Sequence, residues 1–237
     1  MVRRELGQLC FGRLSAPKHS CPAARDHASV QTALRRIVAG VVFLLWLSQC
    51  ASGNPLILAP TGTTLTTGQF RVEGALSPSN EHGKYFWFAT GFLRFEANLI
   101  RYDEPGLPAQ NLVGAQWCFL PETFMTPAVA FGGTDIASQS REGIGAYVAA
   151  TKHISTEFVA PFIKDFSATV GIGVHGIKAF FAGFEAKFPL GIFMQGEFDS
   201  RDFNGTVGWQ PIPLFRLKAY SIRADFYYGA ELVPIVF

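Results

Sequence analysis

Nowhere among the 237 residues do 18 apolar residues follow one another. That excludes an ordinary membrane-spanning helix, which needs about 20. Charge is sparse: Asp, Glu, Lys and Arg make up 16% of the chain, against about 25% in soluble domains. No repeat of fixed period and no low-complexity tract occurs, so one domain is the simplest organisation. Of the four cysteines, Cys10, Cys21 and Cys50 precede an expected cleavage point. Only Cys118 would remain, which excludes a disulfide framework and a cysteine zinc site and leaves Cys118 as a small apolar strand residue. Neither G-x-S-x-G nor H-E-x-x-H is present, so no familiar hydrolase or metalloprotease motif is offered. What is present is 49% hydrophobic residues, 23 Phe and 24 Gly. Aromatic and glycine-rich sequence without a hydrophobic helix points to a β-barrel.

The formal charge of +2 conceals an asymmetry. Residues 1–53 hold seven basic side chains against two acidic ones, or +5, which leaves the remaining 184 residues at −3. The basic balance therefore sits in the N-terminal segment, and no nucleic-acid partner is implied. That segment reads as a signal peptide. Arg35-Arg36 supplies the n-region, Ile37 to Ser48 a twelve-residue apolar h-region, and Ala51-Ser52-Gly53 a small-residue cleavage site. The mature chain is expected to start at Asn54, which divides the sequence into residues 1–53 and a barrel domain of residues 54–237. Leu47-Ser48-Gln49-Cys50 also resembles a lipobox, with Gln49 where a small residue is usual.

The most informative stretch is Ala179 to Trp209. Phe180, Ala182, Phe184, Ala186 and Phe188 share one face of an alternating run, and Phe181, Gly183, Glu185 and Lys187 share the other. After Pro189-Leu190-Gly191 a second run places Ile192, Met194, Gly196 and Phe198 opposite Gln195, Glu197 and Asp199. Side chains alternate across a strand, so this is a β-hairpin with one apolar and one charged face. Each run is about ten residues, the length of a tilted strand crossing a bilayer.

The same pattern runs through the rest. Asn54 to Leu65 is a Pro- and Thr-rich lead-in, expected to lie across one barrel end. Strands are expected at Gly68–Leu76, Lys84–Thr90, Phe92–Tyr102, Ala109–Leu120, Pro127–Thr134, Gly143–Lys152 and Phe166–Val174. After the hairpin come Gly205–Trp209, following an Asp202-Phe-Asn-Gly turn, then Phe215–Tyr220 and Phe226–Val233. Ile154 to Asp165 reads as an irregular segment outside the membrane. The expected fold is all-β: an antiparallel transmembrane β-barrel of about twelve strands, within a range of ten to fourteen, preceded by a signal peptide. The terminal Phe237 suits a barrel folded into an outer membrane, although Pro234 interrupts the last strand.

Four blocks resemble the YjbH-like family of outer-membrane proteins associated with exopolysaccharide production. They are Pro60 to Thr63 with Gly68-Gln69-Phe70; Ala130 to Ile136 followed by Ala146 to Lys152; Phe181 to Glu185 followed by Glu197-Phe198-Asp199; and Asn204 to Trp209. Thr151 and Phe198 stand where that family has Ser and Tyr, and the chain is much shorter than the family's long members. The resemblance implies an outer-membrane barrel with a link to polysaccharide secretion, and no catalytic residue. Its partners would be outer-membrane lipid and polysaccharide or cell-envelope assembly proteins.

The candidate site residues are charges expected to face the lumen: Arg71, Glu73, Arg94, Glu96, Glu185, Lys187, Glu197 and Asp199. A narrow barrel must pair its interior charges, because a lone buried charge is costly. Trp87, Trp117, Trp209, Tyr227 and Tyr228 suit an interfacial girdle or sugar stacking. The histidines expected in the mature chain, His82, His153 and His175, read as exposed rim residues. Ser155, two residues after His153, is the nearest approach to a nucleophile system. The expected function is a non-enzymatic structural or transport role, in exopolysaccharide or cell-surface assembly, with no cofactor and no metal. Two alternatives stay open: a secreted soluble β-barrel or sandwich binding a lipid or glycan, and an outer-membrane hydrolase.

Overall fold

The computed structural model describes residues 56–78, 83–103, 109–140, 143–154 and 162–236, with side chains up to Leu232. The expected signal peptide, Cys10, Cys21, Cys50, His82, Ser155 and Phe237 lie outside the described residues. Twelve strands form among the described residues: β1 (Gln69–Leu76), β2 (Lys84–Phe92), β3 (Phe95–Tyr102), β4 (Gln110–Leu120), β5 (Ala128–Thr134), β6 (Gly145–Ile154), β7 (Asp165–His175), β8 (Ala179–Lys187), β9 (Ile192–Phe198), β10 (Phe203–Ile212), β11 (Phe215–Ile222) and β12 (Asp225–Val236). Each pairs antiparallel with its sequence neighbours, and β12 returns to β1 to close one barrel. Closure leaves no strand edge unpaired. Pro234 falls in the irregularity of the closing pair, where Phe70↔Ile235 gives way to Val72↔Leu232. A residue without an N–H is tolerated at such a bulge.

Alternation sets the two faces of the wall. Along β1, Gln69, Arg71, Glu73 and Ala75 are buried inside, while Leu76 is exposed outside. Outward residues are apolar and bare: Ile172 is 65% exposed, Val207 60% and Phe180 54%, whereas Arg71 is 2% and Glu73 1% exposed. A soluble protein would bury the first set and wet the second. This inversion fits a membrane-embedded barrel. Among the described residues no helix is long and apolar enough to cross a membrane, which says nothing of crossing by strands.

β1 starts and β12 ends at the same, near rim. Aromatic side chains gather at both rims. At the near rim Phe95 stacks on Trp117 at 5.8 Å between ring centres, and Phe119 packs beside them. At the far rim Phe198 meets Phe203 at 5.0 Å. Rings at these two levels suit the bilayer interfaces.

Several details depart from the sequence reading. Phe92 ends β2 rather than opening β3, because Leu93 and Arg94 form a two-residue turn at φ 46° and 68°. Arg94 is therefore exposed at the near rim and does not face the lumen. The β9–β10 turn is Asp199 to Asp202, with Asn204-Gly205 already inside β10. Asn204 thus points inward, where it bonds Glu197. Trp87 and Tyr227 are buried in the lumen, not in a girdle, while Trp117, Trp209 and Tyr228 are outside and exposed. The lead-in does not lie across one end of the barrel; residues 56–65 run down its interior.

Candidate functional site

The lumen is filled by two systems. The first is a chain of ion pairs on β1, β12, β11, β8 and β7. Strand register puts Glu73 directly opposite Glu231, a like-charge pair that would be destabilising alone. Two cations lodge between them. Arg71 reaches Glu73 at 2.6 Å and Glu231 at 2.7 Å, and Lys218 reaches Glu231 at 2.6 Å and Glu73 at 3.1 Å. Tyr220 adds a hydroxyl donor to Glu73, and the Arg71 guanidinium lies 4.3 Å from the Trp87 ring centre. Arg216 extends the chain to Glu185 at 3.5 Å, and Lys187 joins Glu185 at 3.4 Å to Asp165 at 2.7 Å. Arg71, Lys218, Arg216 and Lys187 balance Glu73, Glu231, Glu185 and Asp165, so this network carries no net charge. Desolvating the fully buried members, Arg71, Glu73, Lys218 and Glu231, would cost several kcal/mol each, which only such complete pairing offsets.

The second system is the segment Leu56 to Leu65. The N–H groups of Ile57, Leu58 and Ala59 converge on the Glu197 carboxylate at 2.9, 2.9 and 3.0 Å, and Asn204 donates to it at 2.9 Å. Successive N–H groups turned to one point form an anion-binding concavity, here occupied by a side chain of the barrel's own wall. Further down, Gly62 N–H donates to Thr151 Oγ1 at 2.8 Å, and Gln116 Nε2 donates to the Thr63 carbonyl at 2.9 Å. Leu65 N–H donates to Glu96 at 2.9 Å, and the Tyr85 hydroxyl donates to the Ile57 carbonyl at 3.1 Å. Thr151 is itself held by Thr169 at 2.7 Å, and Gln116 by the Tyr147 hydroxyl at 2.9 Å. Apolar contacts complete the fit. Ile57 and Leu65 pack among Tyr85, Trp87, Tyr102, Tyr220 and Tyr227, and Leu56 among Tyr147, Ile177 and Phe181.

Close approach explains two glycines. A Cβ on Gly62 would fall 2.4 Å from the Ala128 carbonyl oxygen, and one on Gly91 2.3 Å from that of Leu65. A main chain passes a main chain at both places, and only glycine leaves the space.

Above the segment, towards the far rim, a cavity of about 410 Å³ opens. Leu58, Ala59 and Pro60 form its floor, and Tyr102, Gln110, Asp199 and Arg201 stand in its walls. Asp199 is thus a half-buried loop residue at the mouth, accepting from Arg201 and Asp202 N–H groups at 3.1 and 2.9 Å. Asp135, in the β5–β6 loop on the same mouth, accepts from the Ser140 hydroxyl and the Gln139 and Ser140 N–H groups. Burial pushes its carboxyl up, but these donors prevail and hold it below the ordinary aspartate value.

At the near rim Glu122, between β4 and β5, accepts from Lys152 at 3.0 Å, from His153 N–H at 2.8 Å, and meets His153 Nδ1 at 2.6 Å. Partial burial raises its carboxyl, and these bonds outweigh that and hold it low. His153 is therefore half-buried and tied to a loop, while His175 is exposed where β7 ends. Among the described residues no group of three His, Cys, Asp or Glu side chains is arranged to hold a metal ion. Cys118 faces inward against Ala128 and Ala130.

The structure thus brings together Arg71, Glu73, Glu185 and Lys187 in the ion-pair chain and gives Glu96 and Glu197 to the internal segment. Sequence reasoning missed Lys218, Glu231 and Asp165 as lumen charges. Alternation around Tyr220 and Tyr227 carries the first two. Compared with known proteins, the chain matches no protein-family model and no curated protein.

Proposed function

We propose that the protein is an outer-membrane β-barrel, exported by a signal peptide cleaved near Gly53, that keeps its lumen closed and serves cell-surface assembly in a structural or gated transport role. The observation that carries this reading is the inversion of its faces: bare Phe, Ile and Val outside, ion-paired or hydrogen-bonded Arg, Lys and Glu inside. The same inversion opposes the soluble alternative, in which an apolar ligand would meet an apolar interior. Twelve strands also enclose more space than eight, whose interior side chains alone can fill. Here the surplus is taken by residues 56–65, which supports a closed barrel over an open porin. The tie to exopolysaccharide rests on the four YjbH-like sequence blocks and is part of the proposal.

Fractionation, N-terminal sequencing and electrophoresis with and without boiling test it together. An Asn54 start in an outer-membrane fraction, with a heat-dependent shift in migration, is the expected result. A soluble protein without that shift would reject it. Loss of surface polysaccharide on deletion of the gene, restored by the intact chain, would tie the barrel to that material; unchanged polysaccharide would remove the link.

The hydrolase reading draws on the Glu122–His153 contact, which has the geometry of a base and its orienting carboxylate. The hydroxyl two residues further on, Ser155, lies outside the described residues. Lipid or polysaccharide hydrolysis by the folded barrel that disappears in His153→Ala would support it, and absence of hydrolysis in the wild type would end it.

A further inference from the structure

The wall meets residues 56–65 in an unusual way. Seven described hydrogen bonds cross from segment to wall, and all of them involve the segment's main chain: five N–H groups and two carbonyls. Thr61, by contrast, spends its hydroxyl within the segment, on Thr63. The hydrogen bonds thus address amides rather than side chains, while sequence is read only through the apolar bulk of Leu56, Ile57 and Leu65 and the missing Cβ of Gly62. The segment also takes no part in the strand ladder, which closes β12 on β1 without it. Its departure would break no strand pairing. It would leave the neutral ion-pair chain intact and strip Glu96 of the Leu65 N–H and Glu197 of three main-chain N–H donors, leaving Glu197 only the Asn204 amide. A buried carboxylate that loses most of its donors is costly, so the vacated places favour a main chain that supplies those N–H groups again.

We propose that the lumen is a binding track for polypeptide main chain, occupied in this state by residues 56–65, which act as an exchangeable plug. The occupant that can replace it is a segment of another polypeptide whose successive N–H groups turn towards Glu197 and which carries glycine, or no Cβ, where Gly62 passes β5 and β6. This rests on the membrane-barrel reading above. The two fail separately: migration with and without boiling tests the barrel, and conductance tests the plug.

The experiment compares the full mature chain with a variant lacking residues 56–65, both in planar bilayers, and adds the synthetic peptide Leu56–Leu65. The wild type is expected to stay closed and the deletion to conduct. The peptide should close the deletion again, as should a peptide with Ile57 and Leu58 replaced by valine, which keeps apolar bulk and every main-chain bond. A peptide N-methylated at Ile57, Leu58 and Ala59 loses three bonds to one carboxylate and is expected to close it at least about a hundredfold less well. A folded deletion variant that does not conduct overturns the proposal, as does closure by the N-methylated peptide at equal concentration. If the deletion does not fold, the full-length Glu197→Ala variant decides: more frequent opening than wild type supports the plug's release, and unchanged silence overturns it.

Discussion

On the β11–β12–β1 side of the lumen, carboxylates are met by guanidinium and ammonium groups. Glu73 and Glu231 share Arg71 and Lys218 at 2.6 to 3.1 Å. On the β3 and β9 sides, Glu96 and Glu197 are met by main-chain N–H groups of an internal segment at 2.9 to 3.0 Å. Both arrangements answer the cost of burying charge. They differ in what supplies the partner. The ion pairs come from strands, whose places are tied to the whole ladder. The N–H donors come from a segment joined covalently to the start of β1 and otherwise held by hydrogen bonds and packing, outside the strand ladder. The first kind of wall is permanent as long as the barrel stands; the second can be vacated.

Breaking the permanent wall should have the largest effect. Glu231→Ala leaves Arg71, Lys218 and Arg216 with one carboxylate fewer, and removal of one partner from a buried pair costs about 3–5 kcal/mol. Urea unfolding of the vesicle-inserted barrel, followed by tryptophan fluorescence, should show that loss. A loss below about 1 kcal/mol would mean that water screens the network and the contrast between the walls is false.

Next comes the outer face, which serves both walls. Val170→Arg places a charge on the bare side of β7, midway along the strand, where a bilayer would penalise it by about 2–4 kcal/mol. Were that face in water, the same change would stay within about 0.5 kcal/mol. The same unfolding assay separates these outcomes.

Glu197→Ala strikes the detachable wall and should cost less than Glu231→Ala, about 1–3 kcal/mol. Of the freed N–H groups, those of Leu58 and Ala59 belong to residues that line the 410 Å³ cavity and can be met there by water. Its clearest readout is faster hydrogen exchange at residues 57–59 with the strand amides unchanged. Equal acceleration across β9 and β10 would show that the segment is part of the barrel's cooperative core.

The smallest effect belongs to the mouth. Asp135 has its carboxyl held below the ordinary value in the folded state. Its bonds therefore add stability above about pH 4, the unfolded value, and that addition is lost as the pH falls through the lower, folded pKa. The stability gap between wild type and Asp135→Asn should shrink on acidification from pH 6 to pH 3. A constant gap would show that Asp135 acts by shape alone. Either way the two walls below should not respond to this substitution.

Some errors in the sequence reading have a local cause. Arg94 seemed to belong to a lumen face because Phe92 to Tyr102 alternates without a break. Leu93-Arg94 turns the chain at positive φ without the Asn-Gly or Asp-Gly that normally marks such a turn. The converse happened at Asn204-Gly205, a turn signal that lies in a strand. Asn204 is there for its side chain, which donates to Glu197 and accepts the Arg223 N–H.

The sequence by itself determined about twelve strands and, along most of them, which side chains point to which side of the wall. Both follow from a period of two, a property of each strand that needs no knowledge of its neighbours. Arg71, Glu73, Glu185, Lys187, Glu96 and Glu197 were legible as inward charges on that ground alone. Only the tertiary structure decided what each meets. Partners across a closed barrel depend on register and on the width left inside, which no local pattern encodes. Residues 56–65 show this most plainly. Their sequence is extended, apolar and short of charge, as suitable for a rim as for an interior. The space inside twelve strands and two carboxylates without a cation partner on the strands placed them in the lumen.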